Sequence, residues 1–298
     1  MIRMIPFVEG EANLDWIALT DALAAGHTLP KAEIGDTFLY RGDDTLLSRA
    51  AWIDGLGIAV KSATIFPGNL ELPAINGGVM LYSDKDGTPE AVVDFHLVTK
   101  WKTVGDSLLA ARHLARPDSE QILIVGAGAV GHSLFEAYSV LFPKAQFRVW
   151  NRTSGKARKM ADALGIGVAD DLEVAVKGAD IVTAATMTTE PLLRGDWLRP
   201  GQHIDLIGAY RSDMREADNT ALQIARVFVD SFDTTIGHIG EIQIPLETGA
   251  ITREHLIADY YGLATFKRRP KDITLFKNGG GAHLDLMTAR YILDRFGG

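Results

Sequence analysis

Apolar and polar positions follow two textures along the chain. In the first hundred residues they change period often. Leu14 to Ala25 carries apolar residues at helical spacing and predicts an amphipathic helix. Thr37–Arg41, Thr45–Trp52 and Leu56–Ser62 are short runs that predict strands. Val79–Ser83 and Ala91–His96 flank the polar segment SDKDGTPE, where Asp86-Gly87 signals a hairpin turn. Thr103–Ala115 then reads as one helix.

At Gln121 the texture changes. QILIVGAGAVGHSLFEAYSVL reads as a buried strand, a glycine turn and a helix. QFRVWNRT, ADIVTAAT, GQHIDLIGA and RVFVDS continue as strands, with the helix SGKARKMADAL among them. That alternation predicts an α/β fold with a Rossmann-type, doubly wound parallel sheet. The closing segment, ITLFKNGGGAHLDLMTARYILDRF, reads as strand, glycine turn and amphipathic helix. We expect residues 116–270 to form the dinucleotide-binding domain. Residues 1–115 and 271–298 then form a second α/β domain, with the last helix returning to pack on it. No repeat of solenoid length is visible.

Composition narrows the function classes. The 298 residues are 47% hydrophobic and 23% charged, as in soluble globular proteins. A formal net charge of −8 disfavours nucleic acid and anionic membranes as partners. No apolar stretch is long enough for a membrane span, and no secretory leader is visible. The chain has no cysteine, which excludes disulfides and thiolate chemistry and suits a reducing compartment such as the cytoplasm. No HExxH spacing or nucleophile elbow appears, so no metal site is expected. The 30 glycines are more than average, and their positions matter most.

Gly126-Ala127-Gly128-Ala129-Val130-Gly131 is GxGxxG, placed between a buried strand and a helix. In that context Gly126 permits the tight turn and Gly128 lets backbone approach a pyrophosphate. Gly131 lets helix and strand pack closely, and the helix N-terminus favours the phosphates. A glycine-rich packing turn is the plain alternative. The second strand ends in Trp150-Asn151-Arg152-Thr153. An NAD site usually carries Asp or Glu here. Asn151, Arg152 and Thr153, with Lys156, instead suit a 2′-phosphate, so NADP(H) is preferred and NAD(H) allowed. Thr103, and Thr186, Met187, Gly208 and Tyr210 near later strand ends, complete the expected cofactor contacts.

In the first domain, Lys61 ends the apolar strand GLGIAVK. A partly desolvated lysine can hold a carboxylate or shuttle a proton, although a snorkelling strand-end lysine is the commoner case. Lys102 and Asp106 stand four apart on one helix face and form either a plain ion pair or a carboxylate-binding cation beside an acid.

These segments in order resemble the ornithine cyclodeaminase/μ-crystallin family. The resemblance runs from Lys61 and Phe66-Pro67-Gly68-Asn69 through Lys102-Thr103, the glycine turn and Trp150-Asn151-Arg152-Thr153. It continues through Gly208-Ala209 and Arg215-Glu216 to Asp272–Lys277 and Asp285. It implies a dimerising domain made from both chain ends, with a second copy as its partner in a homodimer, and chemistry on cyclic imino acids or amino acids with NAD(P). Lys61 matches the family's lysine near substrate carboxylate and nicotinamide, which makes it the first catalytic candidate; Asp106 is the second, as a proton donor for the reduction. Lys61, Lys102, Arg49 and Arg41 are the candidates for binding the substrate carboxylate. Lys102-Thr103-Val104 replaces the family's Arg-Thr-Ala and keeps the cation without its bidentate fork. Cyclodeaminases carry an aspartate where this chain has Tyr210. The expected reaction is therefore reduction of a ketimine, with Δ1-pyrroline-2-carboxylate to L-proline leading. Ornithine cyclodeamination and a non-catalytic, crystallin-like NADPH binder are the alternatives.

Overall fold

The computed structural model describes residues 2–296, which divide into two units. One comprises residues 1–105 and 280–298, the other residues 106–279.

The first unit is built on a six-stranded sheet. Its strands are β1 (Arg3–Ile5), β2 (Glu33–Arg41), β3 (Asp44–Ile53), β4 (Gly57–Ile65), β5 (Ile75–Tyr82) and β6 (Pro89–Asp94). Their order is β1-β6-β5-β4-β3-β2, antiparallel except where β1 joins β6. The β5–β6 hairpin turns at the expected Asp86-Gly87. Gly87 takes φ +70°, a left-handed conformation that glycine adopts without steric cost. The terminal helix Ala282–Phe296 lies against β3, β4, β5 and the helix Trp16–Gly26. Tyr291 ties these helices together, its hydroxyl donating to the Asp15 carbonyl and accepting from the Asp15 amide at 3.0 Å each. Leu19, Leu23, Leu284 and Ile292 are buried, each contributing about 1.5–3 kcal/mol relative to exposure.

One expected strand is shortened by a cap. The run Ala91–His96 stops being strand at Asp94, whose carboxylate accepts from the Leu97 amide at 2.9 Å. That is the N-cap arrangement, and it opens the helix Phe95–Leu114 eight residues earlier than the apolar pattern suggested. The division between units falls inside this helix, after Gly105.

The second unit carries an all-parallel sheet. Its strands are β7 (Gln121–Val125), β8 (Gln146–Trp150), β9 (Gly167–Val168), β10 (Ile181–Ala184), β11 (His203–Leu206), β12 (Arg226–Val229), β13 (Leu256–Ala258) and β14 (Thr274–Lys277). The order β13-β12-β14-β11-β10-β7-β8-β9 is doubly wound, reversing direction between β7 and β10. β14 pairs with both β11 and β12. The expected boundary near residue 270 therefore moves to Gly279, because Thr274–Lys277 is a strand of this sheet. The boundary near residue 115 moves to Gly105. Leu123, Val125, Val182, Leu206, Val227 and Leu275 pack its core. Among the described residues no helix is long and apolar enough to cross a membrane.

Candidate functional site

In the second unit, Gly126 leaves β7 at φ +118°, and a Cβ there would stand 2.6 Å from the Ala185 carbonyl oxygen. A Cβ on Gly131 would stand 2.3 Å from the Gly126 carbonyl oxygen, so neither position accepts a side chain. Gly128 is different, because nothing in the protein lies within 4 Å of its would-be Cβ. The protein's own packing does not require glycine at this position. Gly128 caps the helix Ala129–Leu141, with Ala129 and Val130 in its first turn, and no side chain caps that end. The exposed amides and positive dipole suit an anion.

Beside the turn lies a half-open cavity of about 290 Å³. Gly126, Ala127 and Gly128 form one side; Trp150, Asn151, Arg152, Thr153 and Lys156 another; and Ala185, Thr186, Met187, Thr188 and Leu192 a third. It sits at the C-terminal ends of β7, β8 and β10, where doubly wound sheets bind ligands. No carboxylate is among its lining residues. A dinucleotide fits these features: a glycine whose Cβ would fill open space, an uncapped helix end and a cationic wall.

Of the expected cofactor residues, Asn151 lines the cavity with its amide engaged in the turn, while Gly208 and Tyr210 are not among the lining residues. Asn151 accepts from the Ala127 amide at 3.2 Å and donates to the Thr153 carbonyl at 3.0 Å, so both its polar groups brace the turn. Gly208 does not line the cavity, and its amide donates to Glu216 at 2.6 Å. Tyr210 is 59% exposed and lies under the Arg211 guanidinium, 5.7 Å from its ring centre.

The first unit holds a separate charged cluster. β4 buries Ala59, Lys61 and Ala63 on one face, as a strand's period of two requires. Strand register places Asp36, Arg49 and Lys61 in one cross-strand row. Lys61 Nζ donates to Thr99 Oγ1 and to Asp285 Oδ1, both at 2.9 Å, and lies 4.6 Å from the Phe95 ring centre. Lys102 Nζ donates to the Gly280 carbonyl and stands 3.6 Å from the same Asp285 oxygen. Arg49 donates to that carbonyl at 3.1 Å and pairs with Asp36 at 2.6 Å.

Burial alone would raise the Asp285 carboxyl, but Lys102, Lys61 and Arg49 outweigh it and hold the carboxyl below the ordinary range. Its Oδ2 is buried with no hydrogen-bond partner among the described residues. Lys61, Lys102 and Arg49 gather around Asp285 and Asp36, a cationic cluster that suits a carboxylate ligand.

The remaining expectations divide. Lys61, Lys102 and Arg49 come together. Arg41 does not join them: at the turn of the β2–β3 hairpin its side chain is 79% exposed and pairs with Asp44 at 2.8 Å. Thr103 is half-buried on the helix of the first unit. Asp106 is buried in the second unit, where its backbone carbonyl accepts from the Tyr260 hydroxyl. Asp285 appeared in the sequence only within the resemblance. It stands 224 residues from Lys61, and no local pattern could have assigned it a role.

A doubly wound parallel sheet with a glycine phosphate turn at its switch point defines the class: a Rossmann-type dinucleotide-binding protein. The chain belongs to the ornithine cyclodeaminase/mu-crystallin family, whose sequence model matches residues 55–298. It is 45% identical over 302 residues to the Delta(1)-pyrroline-2-carboxylate reductase of Paracoccus denitrificans, covering 97% of this chain and 96% of that one. It is 32% identical over 244 residues to the ketimine reductase mu-crystallin of Rattus norvegicus, covering 80% and 75%. In fold it matches the structure of Thermococcus litoralis Delta(1)-pyrroline-2-carboxylate reductase in complex with NADH and L-proline. That match has a TM-score of 0.88 at 24% identity and covers 99% and 97% of the two chains.

Proposed function

We propose that this protein reduces a cyclic ketimine carboxylic acid with NAD(P)H, with Δ1-pyrroline-2-carboxylate to L-proline as the substrate pair. The observation that carries this reading is the 45% identity, along nearly the whole chain, to a reductase of that substrate. The Lys61–Lys102–Arg49 cluster provides matching chemistry. Lys102 and Arg49 hold the substrate carboxylate. Lys61 Nζ, oriented by Thr99 and Asp285, holds the proton that goes to the imine nitrogen. When bound, the reduced dinucleotide supplies a hydride to the imine carbon. The C=N double bond becomes a single bond, and nitrogen and carbon each gain one hydrogen.

The turn from Gly126 to Gly131 holds the pyrophosphate. Arg152, Thr153 and Lys156 favour the 2′-phosphate of NADP(H) over the free ribose of NAD(H), because their wall carries no carboxylate. All nine residues of β2 are exposed on an unpaired sheet edge, with Phe38 and Tyr40 among them. We assign this edge to contact with a second copy in a homodimer. Absence of cysteine supports a reducing compartment such as the cytoplasm. The test is oxidation of NADPH and NADH at 340 nm with Δ1-pyrroline-2-carboxylate. Proline should form one-for-one, faster with NADPH. No turnover above background with either cofactor overturns the reading.

A further inference from the structure

Behind the cavity wall lies a buried carboxylate that the proposed chemistry leaves unused. Glu216 is fully buried. Its Oε1 accepts the backbone amide and the hydroxyl of Thr186, each at 2.7 Å. Its Oε2 accepts the Gly208 amide at 2.6 Å. One side chain thus joins the segments leaving β10 and β11. Those segments are already as close as backbone allows, since a Cβ on Gly208 would stand 1.9 Å from the Thr186 carbonyl oxygen.

The carboxylate is itself held from behind. Glu241, on the helix Gly240–Glu247, accepts the amides of Glu216 at 2.6 Å and Ala217 at 3.0 Å. The Glu216 carbonyl accepts the amides of Leu192 and Leu193, both at 2.9 Å, and the Arg215 amide donates to Thr188 at 3.1 Å. Every one of these bonds ends on the segment from Thr186 to Leu193 or on its support. Thr186, Met187, Thr188 and Leu192 form one side of the cavity. Burial pushes the Glu216 carboxyl up and the Glu241 carboxylate adds to this, while the Lys277 ammonium and the Thr186 donors oppose it. A fold can retain so costly a group only if its donors are well placed.

We propose that Glu216 is a positioning residue for the dinucleotide, fixing the Thr186–Leu192 wall at the distance from the glycine turn that the nucleotide requires. The proposal rests on the dinucleotide reading of the cavity. It makes Glu216 act through Thr186 and Gly208, touching neither dinucleotide nor imine. The demand is for an acceptor on both sides. Glutamine presents an amide N–H to one of the donor N–H groups and breaks one of the two attachments.

The test compares full-length wild type, Glu216→Gln and Glu216→Asp by NADPH fluorescence titration, steady-state kinetics and thermal unfolding. In the folded Gln variant, the Kd and KM for NADPH should rise at least about tenfold. The KM for the imine at saturating NADPH should stay within about twofold, a split that general loosening of the fold would not give. Glu216→Asp keeps two acceptors on a shorter arm and should fall between. It carries the test alone if Gln prevents folding. Unchanged NADPH affinity in a folded variant, with the loss confined to thermal stability, overturns the proposal. Failure of wild type to bind either dinucleotide overturns both the proposal and the reading beneath it, and the wild-type titration alone distinguishes that case.

Discussion

Replacing Asp285 by asparagine removes the one anion that Lys61 and Lys102 share while keeping nearly the same shape. The separations of 2.9 and 3.6 Å correspond to attractions of about 6 and 5 kcal/mol at an effective dielectric of ~20. Much of this offsets the desolvation of side chains that are only 6%, 7% and 1% exposed. The net loss on removing one partner of a buried pair is about 3–5 kcal/mol. For a domain of this size that lowers Tm by roughly 10–20 °C. Differential scanning calorimetry at neutral pH measures it. The pH dependence has a definite sign. The folded carboxyl lies below its unfolded value, so its contribution is complete above the unfolded pKa of about 3.9. It is lost as pH falls through the lowered folded value. Urea midpoints of wild type and variant should therefore differ most near neutrality and converge in acid. A Tm within about 2 °C of wild type at pH 7 would refute the reasoning.

Other outcomes follow from the same geometry. Lys61→Met should reduce kcat by roughly 10²–10⁴-fold with NADPH affinity unchanged, as single-turnover and binding measurements report. Arg152→Ala should weaken NADPH by about tenfold or more and NADH little; equal losses would remove the 2′-phosphate argument. Gly128→Val should leave Tm unchanged, since its side chain meets open space, yet abolish dinucleotide binding in a fluorescence titration. Gly131→Val should instead lower Tm by several degrees, because its Cβ meets the Gly126 carbonyl.

The contrast between those two glycines shows what the sequence made legible. Spacing and flanking pattern put Gly126, Gly128 and Gly131 in the turn between β7 and the helix Ala129–Leu141, because such a turn is a local device of six residues. The strand alternation after Gln121 was equally local. Helix Phe95–Leu114 began earlier than expected because one capping carboxylate, Asp94, outweighed the β-like run before it. β1 went unread because three residues carry too little periodicity. Asn151 looked like a phosphate ligand, and only coordinates reveal that both ends of its amide brace the turn. Arg41 and Arg49 looked alike in the sequence. Register separates them, setting Arg49 opposite Lys61 and Arg41 opposite Asp44 at the hairpin end. Asp285 and Glu216 escaped because each gains its role from a partner far along the chain or from backbone amides, neither of which leaves a pattern.

The path of the chain also bears on synthesis. Residues 106–279 contain every strand of the parallel sheet, so that unit is complete before residue 280 is made. Lys61 has its carboxylate only after 224 further residues have been added, which takes roughly 10–45 s on a ribosome. During that interval two lysines destined for burial lack their anion, and the first sheet has no helix Ala282–Phe296 to cover it. The cationic cluster is thus among the last features of the molecule to exist, completed only after the glycine turn and the cavity beside it.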